Sequence, residues 1–281
     1  MTDAERRAAL EAIADEVRVC TRCLLHETRT KAVAGEGDPS TEVVFVGEGP
    51  GMNEDREGRP FVGRAGGLLV NLLGHIGWGR DDVFITNVVK CRPPGNRDPE
   101  PDEIAACAPY LQRQLQTLDP SVVVTLGRHS MGRFMPGARI SQAHGTTAVA
   151  DPATGARDAT VFAMYHPAAA LRTPAIERES YADVALIPTV LTDARARRAE
   201  ARRAARAGQV VTTEAGSGPT TPVPEPTAVP DATLSQGEPP PITGAAATAA
   251  ATVGTTGPDT QPASASTLSD AEPGADQLSL F

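Results

Sequence analysis

Glu42-Val43-Val44-Phe45-Val46-Gly47-Glu48-Gly49-Pro50-Gly51 is the stretch on which the fold turns. A short, unbroken apolar run that stops at glycine is the pattern of a strand buried on both faces, as in a parallel sheet. The glycines at 47, 49 and 51 let the backbone come close to a ligand, and Pro50 stiffens the turn between them. Such a loop alone predicts only a tight strand-to-helix connection. Here it carries Glu48 and is followed by Glu54, by an aromatic expected to be exposed, Phe61, and by the helix entry Gly63-Arg64-Ala65-Gly66-Gly67.

Three more β-rich runs follow that first one: Val83 to Val89, Ser121 to Leu126 and Thr160 to Tyr165. Helical periodicity covers residues 2 to 19, Ala65 to Ile76, Pro101 to Leu118, Arg128 to Phe134 and a longer stretch after 174. Buried strands alternating with helices predict an α/β fold, a three-layer α/β/α sandwich around a four-stranded parallel sheet. Ligands of such sheets bind beyond the carboxyl ends of the strands. Those ends read Gly47-Glu48-Gly49, Asn87 to Cys91, Gly127-Arg128 and His166-Pro167, so acids, an asparagine and a histidine are expected on one rim. His166 and Asn87 also have plain structural readings, as a helix cap and a turn residue. His26, His75, His129 and His144 are assigned to structure or surface.

Of the 26 basic and 35 acidic residues, every base but only 27 of the acids lie before residue 207, so the net charge of −9 belongs to the tail and the body is nearly neutral. Charge alone therefore neither implies nor excludes a nucleic-acid partner. Residues 207–276 are Ala, Thr, Pro, Gly and Ser with scattered acids, a composition expected to stay disordered. Residues 1–206 are expected to form the single folded domain. Arg195 to Arg206 holds six arginines and one acid, and reads equally as a solvated helix end or as a DNA-facing surface. Without a signal peptide or an apolar span, the chain is expected in the cytosol, off the membrane, as a monomer.

The four cysteines are Cys20 and Cys23, a CxxC, and the distant pair Cys91 and Cys107. The CxxC ends a helical pattern rather than following a strand, which disfavours a redox motif and favours a Cys₄ metal site. Zinc and an iron–sulfur cluster both suit four thiolates, and the spacing leaves the two open.

Gly47-Glu48-Gly49-Pro50-Gly51, Gly58-Arg59-Pro60-Phe61-Val62-Gly63-Arg64-Ala65-Gly66, Thr86-Asn87-Val88-Val89-Lys90-Cys91-Arg92-Pro93-Pro94, the four cysteines and His166-Pro167-Ala168-Ala169-Ala170-Leu171-Arg172, taken in order, resemble the family 4 uracil-DNA glycosylases. The resemblance spans roughly residues 15 to 190. It implies a base-excision repair hydrolase that flips uracil out of single- or double-stranded DNA and cleaves its N-glycosidic bond. It implies a 4Fe-4S cluster on Cys20, Cys23, Cys91 and Cys107, acting as a staple. Glu48 or Glu54 is then expected to handle the water, with Glu48 favoured. His166 and the Gly49 N–H are expected at uracil O2, Asn87 at N3–H and O4, and Phe61 beneath the base. Asn96 and Arg97 are expected near the sugar-phosphate, and Leu171 and Arg172 in the vacated minor groove. The alternative is a non-catalytic or covalently trapping uracil-DNA binder of the same superfamily. The last five residues, Gln277-Leu278-Ser279-Leu280-Phe281, resemble the pentapeptide by which bacterial repair proteins dock on a sliding clamp.

Overall fold

The computed structural model describes residues 1–214, with side chains to Arg206. The elements in order are α1 (Asp3–Arg18), α2 (Leu25–Thr28), β1 (Glu36–Gly37), β2 (Val43–Gly47), α3 (Met52–Glu57), α4 (Arg64–His75), β3 (Phe84–Asn87), α5 (Pro101–Leu118), β4 (Val122–Leu126), α6 (Arg128–Phe134), α7 (Ile140–Ala143), β5 (Thr147–Val149), β6 (Thr160–Met164), α8 (Pro167–Ala170), α9 (Pro174–Val184) and α10 (Ile187–Glu214). The strands form one sheet in the order β1-β3-β2-β4-β6-β5. The central four are parallel, in register from Val44 opposite Phe84 and Val123 to Val122 opposite Thr160.

Every residue of β2, β3 and β4 is buried, because successive side chains feed opposite layers. Val44, Val46, Val123 and Val161 pack toward α1 and α5, with Ile13, Val17, Leu111 and Leu115. Val43, Phe45, Val124 and Phe162 pack the other way, with Leu69, Leu72 and Leu73 of α4 and Val184 and Ile187 beyond. Each such large side chain stabilises the fold by about 1.5–3 kcal/mol when fully buried.

Three expectations need correction. The sheet has six strands, since antiparallel β1 and β5 edge the parallel four; at two and three residues they are too short to carry a readable period. The stretch after 174 is two helices, broken at Ala185 and Leu186. α10 runs to Glu214, eight residues past the composition boundary at 206. The rest of the expected linker, to residue 276, and Gln277 to Phe281 lie outside the described residues.

α10 also settles its first arginines. Arg195 pairs with Glu42, Arg197 donates to the Asp158 carbonyl and to Thr160 Oγ1, and the buried Arg198 bridges Asp119 and Asp158 at 3.0 and 2.8 Å. Glu42, Thr160 and Asp158 stand at the amino ends of β2 and β6. These three arginines therefore pin α10 to the amino-terminal end of the strands, opposite the expected rim, which excludes the DNA-facing reading for them. Arg202, Arg203 and Arg206 are exposed.

Candidate active site and four-cysteine centre

A cleft of about 480 Å³ opens at the carboxyl ends of the parallel strands. Glu48, Gly49, Glu54, Phe61, Asn87, Asn96, Arg97, His166, Leu171 and Arg172 all line it, so the residues singled out in the sequence converge. The parallel ladder continues past β2, with Val88 and Val89 N–H donating to the carbonyls of Gly47 and Glu48 at 2.9 and 3.0 Å, and this fixes the glycine loop against the Asn87 segment.

Phe61 is not exposed, as expected from its loop, but 6% accessible. Its φ of +50° turns the ring inward, where it lies 5.7 Å from the His166 ring. Glycine makes room for this: a Cβ at Gly47 would stand 2.6 Å from the Phe61 ring and 2.4 Å from Asn87 Oδ1. The strained turn is held from behind by Arg80, which donates to the Phe61 and Pro60 carbonyls at 2.8 and 2.7 Å and pairs with Glu36 at 2.6 Å.

The two glutamates have different surroundings. Glu54 Oε1 accepts from the N–H groups of Val62 and Gly63 at 2.9 and 2.8 Å, so it braces the entry to α4. A Cβ at Gly51 would come 2.8 Å from Glu54 Oε2, which is why glycine stands there. Glu48 lies half-buried with His129 Nε2 3.7 Å away, and burial, then the nearby Asp98 charge, pushes its carboxyl up to about 7.

His129 corrects its assignment to structure or surface. Its Nε2 is buried without a hydrogen-bond partner, 3.4 Å from Asp98 Oδ1 and 3.7 Å from Glu48, and burial lowers its pKa. The signal lay in its position, three residues beyond the β4 end. Asp98 itself, paired with Arg128, was not singled out, nor were the lining residues Arg64, Arg128 and Tyr165. Of the expected DNA contacts, Arg97 is committed to a two-pronged pair with the buried Glu103, at 2.6 and 2.9 Å, and Asn96 Oδ1 accepts from Arg92 at 2.6 Å. Leu171 is 38% exposed at the rim.

His166 caps α8, and its Nδ1 accepts from the Ala168 N–H at 3.1 Å. A neutral ring that accepts at Nδ1 carries its proton on Nε2. Burial holds its pKa down to about 4, so at neutral pH this is an uncharged donor. Asn87 is 1% exposed, and its Oδ1 is buried without a partner among the described residues. An unpaired buried acceptor is costly, and a donor from water or from a bound molecule would satisfy it.

Cys20, Cys23, Cys91 and Cys107 are free thiols lining one small void with Arg22, Arg29, Lys90 and Tyr110. Arg29 Nη1 donates to Cys91 Sγ at 3.1 Å, and the Lys90 N–H to Cys107 Sγ at 3.3 Å. Burial pushes the Cys107 thiol up to about 11 and raises Cys91, so unmetallated these sulfurs hold protons although donors already face them. That donor set fits metal-bound thiolates. Among the described residues no three of the sulfurs lie within 4.8 Å of one another. Tetrahedral zinc and an iron–sulfur cluster both take four thiolates, so the donor set leaves the two open.

The family model of the uracil DNA glycosylase superfamily matches residues 34–186. The chain is 51% identical over 178 residues to a type-4 uracil-DNA glycosylase of Sulfurisphaera tokodaii, spanning 60% of this chain and 79% of that protein. It is 46% identical over 167 residues to a type-4 uracil-DNA glycosylase of Thermotoga maritima, spanning 59% of this chain and 85% of that one. A type-5 uracil-DNA glycosylase of Pyrobaculum aerophilum is 32% identical over 149 residues, spanning 47% of this chain and 63% of its own length. Matched over more than half its length, and more similar to the type-4 proteins than to the type-5 one, the chain belongs to the uracil DNA glycosylase superfamily, in its type-4 branch.

Proposed function

We propose that the chain excises uracil from DNA by hydrolysing the bond between deoxyribose C1′ and uracil N1. The observation that carries this reading is the buried, unpartnered Oδ1 of Asn87 in the cleft. Uracil N3–H supplies the missing donor, and the Asn87 amide N–H₂ donates to O4. Cytosine offers an acceptor at N3 and a donor at N4, so it would meet both groups with the wrong polarity. A buried group left unmatched costs about 1–3 kcal/mol.

When the C1′–N1 bond breaks, its electron pair goes to the uracil ring and positive charge appears on the sugar. His166 Nε2–H and the Gly49 N–H stabilise the charge at O2 without giving up a proton. Glu48, in its ionised form, faces the cationic sugar and takes the proton of the water that attacks C1′. Glu54 is occupied as a brace, which supports Glu48 for this role. Phe61 stacks beneath the flipped base, worth roughly 1–3 kcal/mol. Arg64, Arg128 and Arg172 line the approach for phosphates, and Leu171 fills the space the base leaves.

The four cysteines hold a 4Fe-4S cluster in this reading, supported by the N–H donors that face them and by the similarity to type-4 proteins. The cluster supplies a cross-link between the end of α1, α5 and the Cys91 to Glu100 loop, and no electron transfer enters the reaction. In this reading the protein acts as a monomer in the cytosol; among the described residues no helix is long and apolar enough to cross a membrane. Gln277 to Phe281 docks on a sliding clamp.

Incubation with a uracil-containing oligonucleotide, followed by alkali, tests the proposal. Strand breaks at uracil are expected. Intact strands, or a covalent complex that survives denaturation, would replace it with a binding or trapping function.

A further inference from the structure

Lys90 stands between the cysteine centre and the group that reads the base. It is fully buried, and its Nζ bonds to Thr86 Oγ1 at 2.6 Å, Gln114 Oε1 at 2.7 Å and the Asn87 carbonyl at 2.9 Å. The directions of these bonds are fixed from outside. Gln114 Nε2 donates to the Ala34 carbonyl at 2.7 Å, which turns Oε1 toward the lysine, and the Thr86 hydroxyl donates to the same carbonyl at 3.0 Å. Lys90 therefore meets three acceptors, the full complement of an ammonium. None of them is charged, although a buried charge ordinarily has a partner of opposite sign.

The four-cysteine centre, which would carry negative charge once its thiolates bind metal, lies on the other side of the same residue. The Lys90 N–H bonds to Cys107 Sγ at 3.3 Å, Cys91 follows it in the chain, and Lys90 lines the void of the four cysteines. Only Val88 and Val89 separate it from Asn87, and both are tied by their N–H groups to the Gly47-Glu48 backbone.

We infer that Lys90 is a positioning residue through which the four-thiolate centre holds Asn87 in its base-reading place. The centre supplies the counter-charge, the lysine fixes the Asn87 carbonyl, and the side chain of Asn87 is thereby aimed into the cleft. The centre then serves recognition as well as cross-linking. This rests on the proposed uracil function.

The test is Lys90→Met in the full-length, metal-loaded protein, which removes the charge and keeps the bulk. Inhibition by free uracil should weaken about tenfold, discrimination of uracil from cytosine should fall, and the reduction potential of the centre should become more negative, since a nearby cation favours the reduced state. Iron content and visible absorbance should stay near the wild-type level. Wild-type values for uracil inhibition and potential would overturn the inference. If Lys90→Met does not fold, Thr86→Val removes one acceptor at nearly constant shape. It should weaken uracil inhibition about threefold with metal content intact, and unchanged inhibition would again overturn the inference. Failure of the wild-type protein to cleave or bind uracil would be a failure of the proposed function, whereas an unchanged potential beside normal wild-type cleavage would be a failure of the Lys90 linkage alone.

Discussion

Replacing Glu48 with glutamine should make the protein more stable and nearly inactive, and the stability gain should depend on pH. The folded carboxyl titrates near 7 rather than at the ordinary 4.5, because it is buried and faces Asp98; Arg128 offsets part of this, and His129 stands beside it. The native state thus holds the Glu48 proton more tightly than the unfolded chain does. By linkage, stability falls as pH rises from about 4.5 to about 7, and the penalty is fully present above 7. A shift of this size corresponds to about 3 kcal/mol, at roughly 1.4 kcal/mol per pH unit. Glutamine keeps the shape and has no charge to desolvate. The variant should gain most of that amount at pH 8 and almost none at pH 4.5, read from urea unfolding at both pH values. Cleavage of a uracil oligonucleotide should fall by about 10²- to 10³-fold, the usual loss for one preorganised electrostatic group. In the wild type, log kcat/KM should climb with unit slope to about pH 7 and then level. An equal stability gain at both pH values would refute the argument from burial, and undiminished cleavage by the variant would refute the role of Glu48 as base.

Asn87→Asp should erode the preference for uracil over cytosine, measured by competition between the two oligonucleotides. His166→Ala should lower kcat about 10²-fold while leaving that preference largely intact, because the donor to O2 does not distinguish the two bases. Cys107→Ser should lose bound metal and melt lower in the same preparation, measured by metal analysis and calorimetry. Arg198→Met should destabilise the fold by about 2 kcal/mol, less than a fully buried pair because Asp119 and Asp158 are partly exposed, with kcat unchanged. Deleting Gln277 to Phe281 should abolish pull-down of a sliding clamp and leave cleavage of a free oligonucleotide intact.

The parallel strands were legible because burial on both faces leaves only apolar residues to choose from, and Val-Val-Phe-Val or Val-Val-Val admits few other readings. Once the strands were known, the rule that sites gather at their carboxyl ends brought Glu48, Asn87 and His166 together. Phe61 was misread because its burial depends on a backbone angle of +50° and on missing side chains at Gly47 and Gly66, facts of three-dimensional contact. His129 and Asp98 acquire meaning only from each other and from Glu48, across separations no local pattern carries. The arginines of α10 were ambiguous for the same reason, since Glu42 is 153 residues away from Arg195.

The anchoring of α10 also sets how the protein can be joined to other things. Its last described tie to the sheet is Arg198, at the edge opposite the cleft, and the helix continues for sixteen residues to Glu214, about 24 Å at 1.5 Å per residue. Within the described residues, α10 is thus held to the body at the end of the sheet away from the cleft. A label or surface attachment placed where Arg195, Arg197 and Arg198 hold that helix would hold the enzyme by its back while its mouth stays free.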